Sequence, residues 1–166
     1  MKNNKLIIIV ALAIVVVLVV VLLLSSSKAT YDDVLSAQEL MNIASAVVNT
    51  DGGTKSLDSD VILEFTEEDV PYLIDFIVIK ANKAKNINEM GIFKVASGNA
   101  DQMYDIVSNY VNTKQGIYRA IDYFPEEVEK IDCATVKIFG NYIIYSFLNE
   151  SDTEAVYNAI ENQLKK

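Results

Sequence analysis

The chain has 166 residues, a net charge of −9 and neither histidine nor tryptophan. Without histidine, Ser-His-Asp and Cys-His catalysis and His-ligated zinc are excluded. Cys133 is the single cysteine, so no intrachain disulfide forms. Exported animal domains often depend on disulfides, and a chain without them is more typical of bacteria.

An apolar run from Leu6 to Leu24 is the strongest signal in the sequence; its nineteen residues are seventeen Leu, Ile or Val and two Ala. A helix of this length spans about 28 Å, close to the ~30 Å hydrocarbon core of a bilayer. Lys2 and Lys5 precede the run, and positive charge favours the cytoplasmic side. We therefore predict a cytoplasmic stub and transmembrane anchor over residues 1–28 and an extracytoplasmic α+β domain over residues 29–166. The alternative is a cleaved signal peptide, whose apolar stretch is usually only about 7–15 residues long.

The part of the chain from Thr30 onward is strongly acidic. Three of the 14 basic residues precede Thr30, which leaves 11 of them against 23 acidic residues, a net charge of −12. Phosphate recognition depends on Lys and Arg, so this charge disfavours nucleic acid, and we predict no nucleic-acid partner. Adhesion of this part to anionic lipid is disfavoured for the same reason.

The first half of the predicted domain begins with a helix from Asp32 to Asn49, whose apolar residues recur every three or four positions. Thr30 and Asp33 match a capping start for it. Residues 51–60 are predicted to be a loop. Two segments rich in Ile, Val and Phe then predict strands over Tyr72–Ala81 and Glu89–Val95.

The second half begins with a long helix capped by Asn99, and Lys114 interrupts its apolar stripe. Strands are predicted over Cys133–Phe139 and Tyr142–Leu148, joined by a Gly140–Asn141 turn. The last helix opens with a capping box, in which Ser151 and Glu154 hold its first turn.

This order of elements predicts an α+β fold. An N-terminal transmembrane helix is followed by a small domain with an antiparallel sheet of about four strands, arranged as two hairpins and packed by helices on one face. The first predicted helix starts about seven residues after Ser25, so we expect the domain to lie near the bilayer and to meet partners there.

The acidic groups form three clusters: Glu64 with Glu67, Glu68 and Asp69; Glu126, Glu127 and Glu129; and Glu150, Asp152 and Glu154. A carboxylate pair held about 5–9 Å apart can hydrolyse glycosides. Most of these acids lie at predicted helix starts, where the helix dipole favours them, so we assign them to capping and solvation. Asp51, Asp58 and Asp60 lack the calcium-loop pattern. We therefore predict no catalytic, cofactor-binding or metal-binding residues.

Aromatic residues gather at the end of the long helix, where Tyr118, Tyr123 and Phe124 precede Pro125. Such residues can anchor a protein interface, and they can also cover the edge of a core with the hydroxyl in water. We predict these three as the partner-contact surface.

Several short motifs occur in a characteristic order: Met90-Gly91-Ile92-Phe93-Lys94, a long helix, Tyr123-Phe124-Pro125-Glu126, and a hairpin carrying Gly140-Asn141-Tyr142. In this order, from about Gln38 to Leu164, the chain resembles the family called domain of unknown function 4358. The resemblance implies a membrane-attached exterior α+β protein of Gram-positive bacteria and supplies no catalytic residues. Many members look like lipoproteins, whereas this chain has no lipid-accepting cysteine after its apolar run. Gly91 and Gly140 are expected to serve backbone geometry.

These observations predict a membrane-anchored, extracytoplasmic binding module of the cell envelope that is not an enzyme and whose partner is another envelope or membrane protein. Two alternatives stay open. One is a carboxylate-based hydrolase of wall glycan or peptide, which requires two acids facing one cleft. The other is a structural accessory of an export or sporulation complex.

Overall fold

A computed structural model describes residues 30–49, 52–56, 59–66, 70–83, 86–120 and 125–165. The predicted anchor, Leu6–Leu24, lies outside these residues. None of the helices that the structure describes combines the length and the apolar character needed to cross a bilayer. From Tyr31 onward the chain forms one compact unit.

The described elements follow one another as α1 Ala37–Val47, β1 Gly52–Ser56, α2 Ser59–Ile62, β2 Leu73–Ala81, β3 Glu89–Val95, α3 Ala100–Ala120, a 3₁₀ turn Pro125–Glu127, α4 Val128–Asp132, β4 Thr135–Phe139, β5 Tyr142–Phe147 and α5 Glu150–Leu164. The strands form one antiparallel sheet in the order β1-β2-β3-β5-β4. The α+β class and the two predicted hairpins, β2–β3 and β4–β5, are confirmed.

The sheet is covered on both faces, so the prediction of helices on one face is wrong. Successive strand side chains point to opposite faces. In β3, Met90 and Ile92 pack with α1 and α5, whereas Phe93 and Val95 pack with α3 and α4. All six residues of β5 are buried. A strand whose side chains are buried on both faces needs cover on both sides of the sheet.

The prediction of a loop over residues 51–60 is also wrong. Residues 52–56 form the edge strand β1, with Gly52 opposite Ala81 and Ser56 opposite Ile77. A short helix, α2, follows from Ser59. Because glycine is depleted in strands, the local sequence does not indicate β1, and its pairing with the backbone of β2 creates it.

Two helix starts differ from the predicted positions. Helix α1 begins at Ala37, because Ser36 and Glu39 form a reciprocal capping box. Helix α5 begins at Glu150, because the side chain of Asn149 accepts a hydrogen bond from the backbone of Asp152. In both cases the side chain nearest the true start satisfies a free amide of the first turn.

Residues 31–35, which we call the N-terminal strap, are bound to the domain although they are not helical. The Asp32 amide donates to the carbonyl of Leu164 at 2.8 Å. The carbonyl of Leu35 accepts from Lys94 Nζ at 3.0 Å and from the Tyr142 hydroxyl at 2.6 Å. The strap therefore joins the C-terminal helix to the β4–β5 hairpin.

Of the two glycines expected to serve backbone geometry, Gly140 does so, whereas Gly91 has another role. Gly140 has a φ of +63° in the hairpin turn, a conformation that favours glycine. Gly91 instead makes room for a side chain, since a Cβ there would lie within 2.9 Å of Tyr145 Cδ1 and closer still to Cε1.

We predict that Gly91→Ala destabilises the protein by about 1–3 kcal/mol, the usual cost of an overpacked core. The measurement is denaturant unfolding of the full-length protein. Gly116→Ala is the matched control, because a Cβ at this helical position meets nothing within 4 Å. This control is expected to stabilise by up to about 1 kcal/mol. Equal effects of the two substitutions would contradict the steric role of Gly91.

Candidate functional site

A buried carboxylate is the most unusual group beneath α3. Glu89 begins β3 and is 4% exposed. Its Oε1 accepts hydrogen bonds from the hydroxyls of Tyr110 at 2.6 Å and Tyr145 at 2.7 Å. Its Oε2 is ion-paired with Lys114 Nζ. We call Glu89, Tyr110, Lys114 and Tyr145 the Glu89 cluster.

Lys114 closes this cluster from the helix side. Its Nζ also donates to the Tyr110 hydroxyl at 2.7 Å. The same atom lies 5.0 Å from the ring centroid of Tyr110, 5.9 Å from that of Tyr118 and 5.7 Å from that of Phe147. An ammonium within about 6 Å of a ring is attracted by the quadrupole of the ring. The ion pair and the rings together compensate Lys114 for its loss of water.

Burial affects the acid–base properties of this cluster. It is the main cause that raises the pKa of Tyr110 and of Tyr145 well above the ordinary tyrosine value, and the charge of Glu89 adds to both shifts. Burial also lowers the pKa of Lys114, although Glu89 acts in the opposite direction. In each case burial disfavours the charged form of the group.

An open cleft of about 390 Å³ leads to the cluster. One wall is the segment after α2, with Glu64 and Phe65, and the other is the exposed side of α3. The residues of α3 that line it are Asn109, Tyr110, Thr113, Lys114 and Ile117. The ring of Phe65 lies 4.0 Å from that of Tyr110, so the two walls meet in an aromatic contact.

Of the three predicted contact residues, the structure describes Tyr118. It is half-buried on α3, and its ring meets Phe147 edge-on at 6.1 Å. Tyr118 directly follows Ile117, one of the cleft residues. Tyr123 and Phe124 lie outside the described residues, so their contact role stays a prediction.

The acidic groups do not assemble a hydrolytic pair in this cleft. Among the described residues that line it, Glu64 is the only carboxylate, and it is ion-paired with Lys80. Both oxygens of Glu89 already accept hydrogen bonds. A glycosidase needs two carboxylates that flank the bond to be cleaved.

Glu127, which we assigned to capping and solvation, has a different role. Its side chain makes no capping bond to α4. It is buried, accepts from the Ile87 amide at 3.1 Å and pairs with Lys130 at 2.8 Å. Glu127 thus ties the segment before β3 to the 3₁₀ turn.

Cys133, which follows the last residue of α4, is one of the residues that line a second cleft of about 350 Å³. Burial, followed by the charges of Glu150, Glu129 and Asp132, raises the pKa of this thiol. A thiol with a raised pKa holds less of the reactive thiolate. In the described part of the chain, no three Cys, Asp or Glu residues are placed to hold a metal ion.

Sequence reasoning missed the Glu89 cluster, although two signals for it were present. Lys114 interrupts an apolar stripe, and Glu89 opens a strand whose neighbours are apolar. A charged residue on a buried face is normally paired with an opposite charge. The sequence therefore offered Glu89 and Lys114 as candidates for one ion pair between a strand and a helix. What the sequence lacks is the register that places Glu89 opposite Lys80 on one side and Phe147 on the other.

Comparisons of the chain with protein-family models, curated proteins and solved structures give no significant match. The resemblance to domain of unknown function 4358 therefore stays an expectation, carried by the order of its short motifs.

We predict that Lys114→Met destabilises the protein by about 3 kcal/mol, because it leaves the buried Glu89 without its cation. Adding Glu89→Gln should restore part of this loss, so the double variant is more stable than the sum of the single effects implies. Denaturant unfolding of the full-length variants measures both quantities.

The control for this pair of variants is Arg119→Met. It breaks an exposed ion pair between Arg119, which lies on α3 like Lys114, and Asp132 of α4. Exposed ion pairs contribute about 1 kcal/mol or less. If Lys114→Met costs no more than Arg119→Met, Glu89 does not depend on Lys114.

Proposed function

We propose that this protein is a membrane-anchored, extracytoplasmic binding module of the bacterial cell envelope that performs no catalysis. Its partner is another envelope or membrane protein, held at the cleft between Phe65 and α3. The observation that carries the proposal is the cleft itself, with an exposed aliphatic side chain on its rim and aromatic rings in its walls.

The apolar run from Leu6 to Leu24 supports the anchor. Its Leu, Ile and Val residues each favour insertion by about 0.3–0.6 kcal/mol. Lys2 and Lys5, which precede the run, support a domain on the far side of the membrane, since positively charged flanks are retained in the cytoplasm.

The rim of the cleft supports protein binding. Ile117 is 54% exposed, although it lies beside the cleft on α3. Apolar side chains next to a pocket, bordered by polar groups, are the usual composition of an interaction site. Asn109 and Thr113 supply neutral polar groups along the same helix.

The composition of the walls favours an inserted side chain over a charged ligand. Phe65 and Tyr110 present apolar surface, whereas the charges of Glu64 and Lys114 are already paired with Lys80 and Glu89. A charged ligand would have to displace one of these pairs. An aliphatic or aromatic anchor of the partner would fill the cleft without breaking them.

The proposed membrane topology can be tested with a fusion protein. Alkaline phosphatase fused after Lys166 should be active in cells, because this enzyme folds only outside the cytoplasm, and it should fractionate with membranes. The same fusion lacking residues 6–24 should be inactive. An inactive full-length fusion, or an active one released into the medium, would contradict a retained anchor.

The proposed binding role of the cleft can be tested by crosslinking. A photo-crosslinking amino acid at Ile117 should capture one reproducible envelope protein in intact cells, and Ile117→Asp should abolish crosslinking from a second probe at Thr113. The captured protein is identified by mass spectrometry.

Val128 provides the matched control for this experiment. It is also a β-branched residue on a helix, is 47% exposed and lines none of the described clefts. A probe at Val128 should capture no such protein, and Val128→Asp should leave capture from Thr113 unchanged. Capture of the same proteins from both positions would mean that the cleft is not the binding surface. Triple alanine replacement of Tyr118, Tyr123 and Phe124 then tests whether the interface extends past the end of α3.

A further inference from the structure

We propose that the free edge of β4 binds an extended, basic segment of a partner protein, which adds a strand to the sheet and places basic side chains in the second cleft. This surface is separate from the cleft beside Phe65, and the proposal does not depend on what that cleft binds. Two features carry it: unpaired backbone groups along β4, and a groove between β4 and α5 that contains unpaired acids.

The strand β4 lies at the end of the sheet and pairs only with β5. In an antiparallel pair, every second residue exchanges hydrogen bonds with the residue opposite. Because Phe139 and Tyr142 flank a tight turn, they form such a bonded pair, and the bonded residues of β4 are the odd-numbered ones. The amide and carbonyl groups of Val136 and Ile138 therefore point away from β5.

These outward groups are uncovered in the described part of the chain. No backbone hydrogen bond from outside the sheet reaches Val136 or Ile138. The side chains of Thr135 and Lys137 are exposed, whereas every residue of the neighbouring strand β5 is buried. An exposed row of backbone donors and acceptors is a template for another strand, and many domains bind extended peptides in this way.

The second cleft lies beside this edge. Its walls include Thr135 and Lys137 from β4 and Glu150, Glu154 and Tyr157 from α5. Successive side chains of a strand point to opposite faces, so a strand added to β4 would direct every second side chain toward α5. The 350 Å³ of the cleft has room for a long side chain, since a cavity of about 150 Å³ accommodates benzene.

The charges in the cleft favour a basic side chain. Glu150 and Glu154 are exposed, and among the described residues neither has an ion-pair partner. Their spacing on α5 places two like charges side by side, which is unfavourable in a helix. Asp132, a third acid of the cleft, is already paired with Arg119. A lysine or arginine from a bound strand would compensate the two unpaired glutamates.

The same charges disfavour a second copy of this chain as the occupant. From Thr30 onward each copy has a net charge of −12, so two copies would repel each other. Lys137 adds to this effect, because a lysine within an edge strand discourages pairing with another edge of the same kind. Its Nζ lies 4.6 Å from the ring centroid of Tyr157, so this cation already has a partner on α5.

The pairing geometry fixes the pattern of the bound segment. All strand pairs in this sheet are antiparallel, and residues opposite each other in such a pair share a face. Val136 and Ile138 pack on the α3 side of the sheet. The residues that bond to them would therefore also lie on the α3 side and should be apolar. The residues between them would face the second cleft and should be basic.

The test uses the full-length protein in nanodiscs of zwitterionic lipid and a short fluorescent peptide of alternating valine and lysine. Fluorescence anisotropy at constant salt measures the affinity. This peptide should bind several-fold more tightly than one of alternating valine and glutamate. Methylation of the valine backbone nitrogens removes the donors that face β4 and should weaken binding several-fold. Methylation of the lysine backbone nitrogens, which face away from β4, should leave the affinity unchanged.

Two further measurements locate the binding site. Amide hydrogen exchange followed by NMR should show that the peptide protects Val136 and Ile138. Glu154→Gln should weaken binding of the lysine peptide several-fold. Asp105→Asn is the matched control, because Asp105 is exposed on α3 and lines none of the described clefts, and it should leave the affinity unchanged.

Equal binding of the two methylated peptides would overturn pairing at the edge of β4. An equal effect of Glu154→Gln and Asp105→Asn would overturn the role of the second cleft. Protection of Val136 and Ile138 before any peptide is added would mean that a second copy covers the edge, and would overturn the proposed occupant. Because the probe at Ile117 reports on the other cleft, failure of either experiment leaves the other unaffected.

Discussion

The need to compensate one buried carboxylate organises the face of the sheet that packs against α3. A carboxylate placed in a protein interior without partners costs several kcal/mol. Glu89 avoids this penalty through three donors, supplied by two other elements: Tyr110 and Lys114 from α3, and Tyr145 from β5. These bonds fix where the helix lies along the sheet, because a shift of one turn would remove two donors at once.

Several other features of the fold depend on this arrangement. The Tyr145 ring reaches Glu89 only because Gly91 has no side chain. Lys114 meets the carboxylate from α3, and it lines the cleft together with its neighbours on the same side of the helix. Phe65, from the segment after α2, closes the opposite wall against Tyr110. The cleft is therefore a consequence of how the buried charge is satisfied, and its shape and its chemistry are linked.

The opposite face of the sheet carries an apolar core and the N-terminal strap. There α1 and α5 cover an apolar core, and the N-terminal strap is held by backbone and side-chain hydrogen bonds to Lys94, Tyr142 and Leu164. In the proposed topology this strap leads from the anchor into the domain. Since its bonds end on both the hairpin and the C-terminal helix, a load on the strap would be shared by two elements of the domain. The proposed partner cleft and the strap then lie on opposite faces of the sheet.

Local sequence patterns were sufficient for much of the fold. The Ile- and Val-rich segments predicted β2 and β3, Gly140–Asn141 predicted the second hairpin, and the apolar stripe predicted α3, because these signals arise from neighbours in the chain. The exact helix starts were less predictable, since several polar residues compete to cap each helix. Tyr118 was singled out because aromatic residues gather before Pro125. Its ring packs against Phe147, and its contact role stays a prediction.

The amino-acid sequence is sufficient to predict the class of the domain, its two hairpins, its acidic character and the absence of histidine chemistry. It does not predict that β1 joins the sheet, that helices cover both faces, or that Glu89 meets Lys114. These three features have a common cause. They depend on backbone pairing and packing between residues far apart in the chain, which no local propensity or periodicity encodes.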